Sequence, residues 1–88
     1  MQIYQSNRFQ KSYKKLFPNQ LNETNNAIND IIANPDIGEQ KHGDLSWLRV
    51  YKFKCLGFLT LIGYSIKNDA LTFIALGPHE NFYRDIKR

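Results

Sequence analysis

Residues 48–76 read LRVYKFKCLGFLTLIGYSIKNDALTFIAL, three apolar runs at 48–54, 58–66 and 70–76 separated by turn residues at Gly57 and Asn68-Asp69. β-Branched and aromatic side chains recur in each run, as strands favour, and breaks this short join neighbouring strands in antiparallel order. The first run alternates: Tyr51 and Phe53 point one way, Lys52 and Lys54 the other. The second is apolar almost throughout. It predicts a central strand buried on both faces, with a covering layer needed on each side.

Upstream, a short apolar start at Ile3 and Tyr4 precedes Ser6 or Asn7, either of which can cap a helix with Phe9, Tyr13, Leu16 and Phe17 at helical spacing. Lys11, Lys14 and Lys15 make its other face basic. Pro18 breaks that helix and can open a second, marked by Leu21, Thr24, Ile28, Ile31 and Ile32 and ending at Asn34-Pro35. The two form an antiparallel hairpin that covers one face of the sheet. Residues 36–46, DIGEQKHGDLS, have two glycines and no periodicity and read as a surface loop. Downstream, 78–88 turn polar again, with Phe82 and Ile86 at helical spacing for a short C-terminal helix or tail. The expectation is one α+β domain over residues 1–88.

Composition narrows the partners. Eighty-eight residues suffice for one hydrophobic core, and 42% apolar with 23% charged residues describes a folded chain. A net charge of +4 and a pI near 9.3 favour polyanionic partners. A single cysteine, Cys55, allows neither an internal disulfide nor a cysteine-based zinc site, which fits a reducing compartment, by default the cytoplasm. The opening MQIYQSNRFQKSYKK lacks the apolar centre of a signal peptide, and no run approaches the length of a membrane span, so neither export nor insertion is expected. No phosphate-binding glycine loop or metal-ligand motif is present, and no cofactor is expected.

Two constellations could carry chemistry. Lys52 and Lys54, with Arg49 nearby, stand on outward strand positions about 7 Å apart, a spacing that suits a phosphate backbone. Lysines on a solvent face also have a plain structural use, since they discourage edge-to-edge pairing. The second group is His79 after Gly77-Pro78, followed by Phe82, Tyr83, Arg84, Lys87 and Arg88. Histidine moves protons near neutrality, tyrosine donates hydrogen bonds or stacks, and arginine stabilises phosphoryl charge. RNA cleavage by its own 2′-hydroxyl needs only such groups and no metal. The plainer reading has His79 capping the last helix, Phe82 and Tyr83 packing it on the sheet, and the basic end solvated. His42 in the loop and Trp47 at the strand entrance are lesser candidates for RNA contact, and Cys55 reads as a small buried residue.

The order of strand, helical hairpin, three-stranded meander and short C-terminal helix resembles the RelE/ParE superfamily of bacterial toxins from type II toxin-antitoxin pairs. So do HGDLSWLRVYKFK at 42–54 and IALGPHENFYRDIKR at 74–88. The resemblance spans essentially the whole chain. It implies an N-terminal strand and helical hairpin packed on an antiparallel sheet. In the RelE branch the strand matching VYKFK carries lysines that bind messenger RNA, which implies that role for Lys52 and Lys54. In the YafQ-like branch a glycine, one residue and a catalytic histidine end the last strand, with an aromatic four positions later. Gly77, His79 and Tyr83 match, and Phe82 is a second aromatic candidate.

The departures are specific. RelE-like enzymes use an arginine on the middle strand, where this chain has Leu59, Thr60 and Leu61, leaving Arg49 or Arg84 as substitutes. Cys55, Leu56 and Gly57 replace the acidic and aromatic pair of YafQ-like proteins, and His42 matches their upstream histidine only loosely.

The resemblance implies a ribosome-dependent messenger RNA endoribonuclease acting in the A site without metal or cofactor. His79 would serve as general acid or base, Lys52 and Lys54 would hold the phosphate, and Tyr83 would donate a proton or stack. Arg49, Arg84, Lys87, Arg88, His42 and Phe82 would bind RNA. A cognate antitoxin is the implied partner, with operator DNA bound only by the toxin-antitoxin complex. The rival implication is the ParE branch, which shares the fold and poisons DNA gyrase without cutting RNA; a plain basic binding module is a third.

Overall fold

The computed structural model describes residues 1–80 and 82–86. The chain runs β1 (Gln2–Gln5), α1 (Asn7–Lys14), α2 (Pro18–Ala33), β2 (Glu39–Gln40), β3 (Arg49–Cys55), β4 (Phe58–Lys67), β5 (Ala70–Pro78) and α3 (Phe82–Ile86). One five-stranded sheet has the order β1-β5-β4-β3-β2. The meander pairs antiparallel as its short turns demand, whereas β1 adds to β5 in parallel, so the sheet is mixed rather than wholly antiparallel. Among the described residues no helix is long and apolar enough to cross a membrane.

Ser6 caps α1 by accepting the Phe9 N–H at 3.1 Å and donates its hydroxyl to the Ile74 carbonyl, which fastens the helix start to β5. Phe17 is a correction to the sequence reading. It lies outside α1 as the N-cap of α2 and is exposed, because Pro18 opens the next helix immediately after it. The buried line of α2 is Thr24, Ala27 and Ile31, while Ile32 is turned outward. The helical hairpin covers one face of the sheet, where Phe9, Ala27 and Ile31 pack on Ile62, Tyr64, Leu71, Phe73 and Leu76.

Residues 36–46 hold more order than a loop, because β2 pairs with β3 in the register Glu39↔Val50 and Gln40↔Arg49. Tyr64 makes this possible. Its buried hydroxyl donates to the Pro35 carbonyl at 2.6 Å and accepts the Gly38 N–H at 2.9 Å, and a Cβ at Gly38 would lie 2.6 Å from that oxygen. Burial, partly opposed by the Gly38 bond, pushes the Tyr64 phenol above its ordinary range. Arg49 adds bonds to the carbonyls of Asp36 and Gly38 at 3.2 and 2.8 Å.

The opposite face carries a smaller core of Leu48, Val50, Leu61, Ala75 and Phe82, and α3 supplies the second cover that the apolar β4 requires. Gly63 admits it: a Cβ there would stand 2.9 Å from the Phe82 ring.

Two substitutions should move stability in opposite directions. Tyr64→Phe strands the Gly38 N–H and the Pro35 carbonyl and is expected to cost about 1–3 kcal/mol in denaturant unfolding. Thr24 buries a hydroxyl with no hydrogen-bond partner. Thr24→Val keeps the shape, removes that group, and is expected to raise the unfolding free energy by about 1 kcal/mol.

Candidate nucleic-acid interface

Side chains directly opposed across antiparallel strands share a face, so the register of β3, β4 and β5 decides which candidates meet. Lys54 pairs with Leu59, and the His79 N–H donates to the Leu59 carbonyl at 3.3 Å, placing Lys54, Leu59 and His79 in one row. Lys52, Leu61 and Gly77 form the adjacent row. Two strand spacings separate the Lys54 and His79 backbones by about 10 Å, a gap that a lysine side chain and an imidazole can close on one phosphate. Lys52, Lys54 and His79 are all exposed. Leu61 is buried beside Phe82 at the inner edge, whereas Leu59 is exposed and Gly77 has open space above it, so the row of Lys54 and His79 forms an open shelf rather than a pocket.

A further cation joins this face. Lys41 continues past β2 beside Leu48, with its ammonium 5.2 Å from the centroid of the Tyr83 ring and paired with the Glu39 carboxylate. Glu39 first and Tyr83 second hold the Lys41 proton above the ordinary lysine range. Lys41 in turn, then Lys52, holds Glu39 below the usual carboxylate range. Nothing in the spacing of 36–46 marks Lys41, since its place depends on the pairing of β2.

Several expected site residues are elsewhere. Phe82 is 4% exposed and fills the core above Gly63, so its ring offers no face to a base. Tyr83 packs edge-on to Phe82 and against Lys41, on the β2 side of the face. Arg49 lies with Tyr51 and Phe53 on the other face, where it holds residues 36–38 and pairs with Asp36 at 3.6 Å. It cannot replace a cation beside His79. His42 precedes the 3-10 turn at Gly43–Leu45 without a side-chain capping bond, at the far corner from His79, about 20 Å along the strands. Arg84 is exposed on α3, while Lys87 and Arg88 lie outside the described residues. Trp47 is half exposed and lines a shallow groove with Arg49 and Ile66, and Cys55 is buried against the Gln20 carbonyl. No group of three or more metal-ligating side chains is gathered among the described residues.

Residues 3–87 match the family described as ParE-like toxin of type II bacterial toxin-antitoxin system. The chain belongs to that family. No curated protein matches the toxin by sequence. Its fold is similar to a chain of the intact E. coli RelBE toxin-antitoxin complex, with a TM-score of 0.71 and 16% identity over 90% of this chain and 96% of that one. The isolated E. coli RelE toxin gives 0.67 and 17% over 99% and 96%. A conserved hypothetical protein from Helicobacter pylori gives 0.59 and 20% over 90% and 94%. These likenesses carry the RelE-type fold of the superfamily.

Lys41 is expected to hold α3 in place through Tyr83. Lys41→Met should speed hydrogen exchange of the α3 amides by roughly two- to fivefold, the equivalent of one exposed cation–π contact of 0.5–1 kcal/mol, while β4 amides stay unchanged.

Proposed function

We propose that the toxin is a ribosome-dependent messenger RNA endoribonuclease, cutting in the A site by attack of a 2′-hydroxyl on its own phosphodiester. The observation that carries this reading is the row Lys54, Leu59 and His79 with Lys52 beside it, a register that brings one histidine and two exposed lysines to a single face. The openness of that face suits a polymer strand laid across it. In the reaction the 2′-oxygen loses its proton, bonds to phosphorus and expels the 5′-oxygen, which takes a proton. His79 supplies one of these proton transfers, and Lys52 and Lys54 neutralise the charge that builds on the phosphoryl oxygens. Tyr83, beside Lys41, contacts the RNA at the margin of the shelf rather than the reacting atoms. Arg84, with Lys87 and Arg88, binds RNA backbone. The RelBE complex supports a cognate antitoxin as partner, and the toxin-antitoxin complex would bind operator DNA.

One observation favours a second reading. Leu59, between Lys54 and His79, is apolar and 40% exposed in the stretch 59–61 where RelE-like enzymes carry an arginine, which suits a protein contact such as that of a gyrase inhibitor. The two readings differ over His79, since only cleavage needs its proton chemistry.

Mapping RNA ends after brief expression, with and without active translation, separates them. Translation-dependent cuts within codons are expected, reduced about 10²- to 10⁴-fold by His79→Ala and less by Lys54→Ala, with fold and antitoxin binding retained. Full toxicity of His79→Ala, or double-strand DNA breaks beside intact messages, would sink the nuclease reading.

A further inference from the structure

Lys41, Lys52 and Lys54 stand on the face of the sheet that bears His79, and a carboxylate interrupts their line. Lys54 and Lys52 are successive outward positions of β3, and both are exposed. Val50, the next position on that face, is buried with Phe82. Opposed residues of β2 and β3 share a face, so Glu39, opposite Val50, points the same way and is a diagonal neighbour of Lys52, about 7–8 Å away between backbones. Lys41 follows two residues on, where its N–H donates to the Leu48 carbonyl. From Lys54 to Lys41 the line covers six strand positions, about 20 Å. Because Val50 is covered, the exposed way along it passes over Glu39.

Among the described residues Lys52 and Lys54 have no ion-pair partner, whereas Lys41 is paired with Glu39 and lies over the Tyr83 ring. The two members of the pair are held differently. The Lys41 side chain is 20% exposed and kept in place by the ring, while that of Glu39 is 65% exposed on an edge strand and can turn away. An exposed ion pair adds little to stability, and β2 is already fastened through Tyr64 and Arg49. A preset ammonium beside an aromatic ring is the pairing that engages a phosphate and its neighbouring base on a single strand. Carboxylate and phosphate oxygens make the same charge-assisted bonds to such a cation, so Glu39 stands where a phosphate oxygen would stand.

We propose that Lys41 and Tyr83 form a second phosphate subsite, which Glu39 occupies in the free toxin and yields to the RNA backbone. The proposal rests on the RNA reading above and gives the bound strand a path, from the phosphate at Lys54 and His79 past Lys52 to the β2 margin.

The probe is a fluorescein-labelled 2′-O-methyl RNA hexamer, which lacks the attacking hydroxyl, titrated with the purified toxin by fluorescence anisotropy over a range of salt. Glu39→Gln is expected to tighten binding about two- to fivefold, the equivalent of one exposed ion pair. Lys41→Met should weaken binding and lower the slope of log affinity against log salt by about 0.7, one single-strand phosphate contact, and Lys41→Arg should restore both. The opposite signs decide the matter: a pair that only braces β2 and α3 would weaken binding when either partner is changed, and that outcome overturns the subsite. An unchanged slope in Lys41→Met, or a wild type that does not bind the hexamer, overturns it as well. Glu39→Gln that alters antitoxin affinity and leaves RNA affinity unchanged would assign the cluster to the protein partner instead. RNA-end mapping judges cleavage separately: cuts in cells without the opposed signs sink this inference alone, and the opposed signs without cuts sink the nuclease reading alone.

Discussion

The register in which β4 joins β3 to β5 is the constraint on which the rest of the molecule depends. A slip of one residue would turn every side chain of a strand to the opposite face. Lys52 and Lys54 would then enter the core beneath the helices, and Tyr51 and Phe53 would face solvent. The register is strongly specified because β4 is buried on both faces: Ile62 and Tyr64 belong under α1 and α2, Leu61 belongs under α3, and neither set fits the other layer. The tight turn at Leu56-Gly57 sets the β3–β4 pairing, and the irregularity between Gly63 and Tyr64 adjusts the β4–β5 pairing without disturbing the row that ends at His79.

The two faces are finished differently, and that difference leaves the shelf. The helix face is covered over its middle by α1 and α2, with Phe58 and Ile66 exposed at its two ends, and one buried hydroxyl on Tyr64 fastens the 35–38 segment so that β2 can extend the sheet. The other face is covered only where α3 reaches. Phe82 can descend onto the sheet at Gly63 because no side chain stands there, and α3 covers Leu61 in the Lys52 row while Leu59 in the Lys54 row stays 40% exposed. The exposed ground therefore lies at the His79 end, where Lys52 and Lys54 also stand. Lys41 links cover and edge, since the same ammonium neutralises Glu39 and lies over Tyr83.

Much of this was legible from residue order. Alternation in 48–54 separated the lysines from the aromatics, the apolar run at 58–66 required two covers, and Ser6 placed the start of the first helix, which ends at Lys14, short of Leu16 and Phe17. The errors have identifiable causes. Phe17 continued the helical spacing of α1, but Pro18 claimed it as a cap. β2 is two residues long and exists only because Tyr64 and Arg49 hold the preceding turn, a contact nearly thirty positions away in the case of Tyr64 and Pro35. Phe82 and Tyr83 were alike as neighbouring aromatics. Their fates diverged because Gly63 opens a space for one ring and Lys41 offers a charge to the other.

By itself the sequence determined the α+β class, the meander, the face on which Lys52 and Lys54 stand, and the His79 spacing that resembles the toxin superfamily. The class, the meander and the lysine face follow from periodicities of two and 3.6 residues and from turn chemistry, which are local properties of the chain, and the His79 spacing from the resemblance of a short motif. Only the tertiary structure decided that His79 shares a row with Lys54, that Arg49 and His42 lie away from it, that Phe82 is core, and that Lys41 belongs to the face. Each of those depends on cross-strand register or on a gap left by a distant glycine, and such relations join residues that nothing along the chain connects.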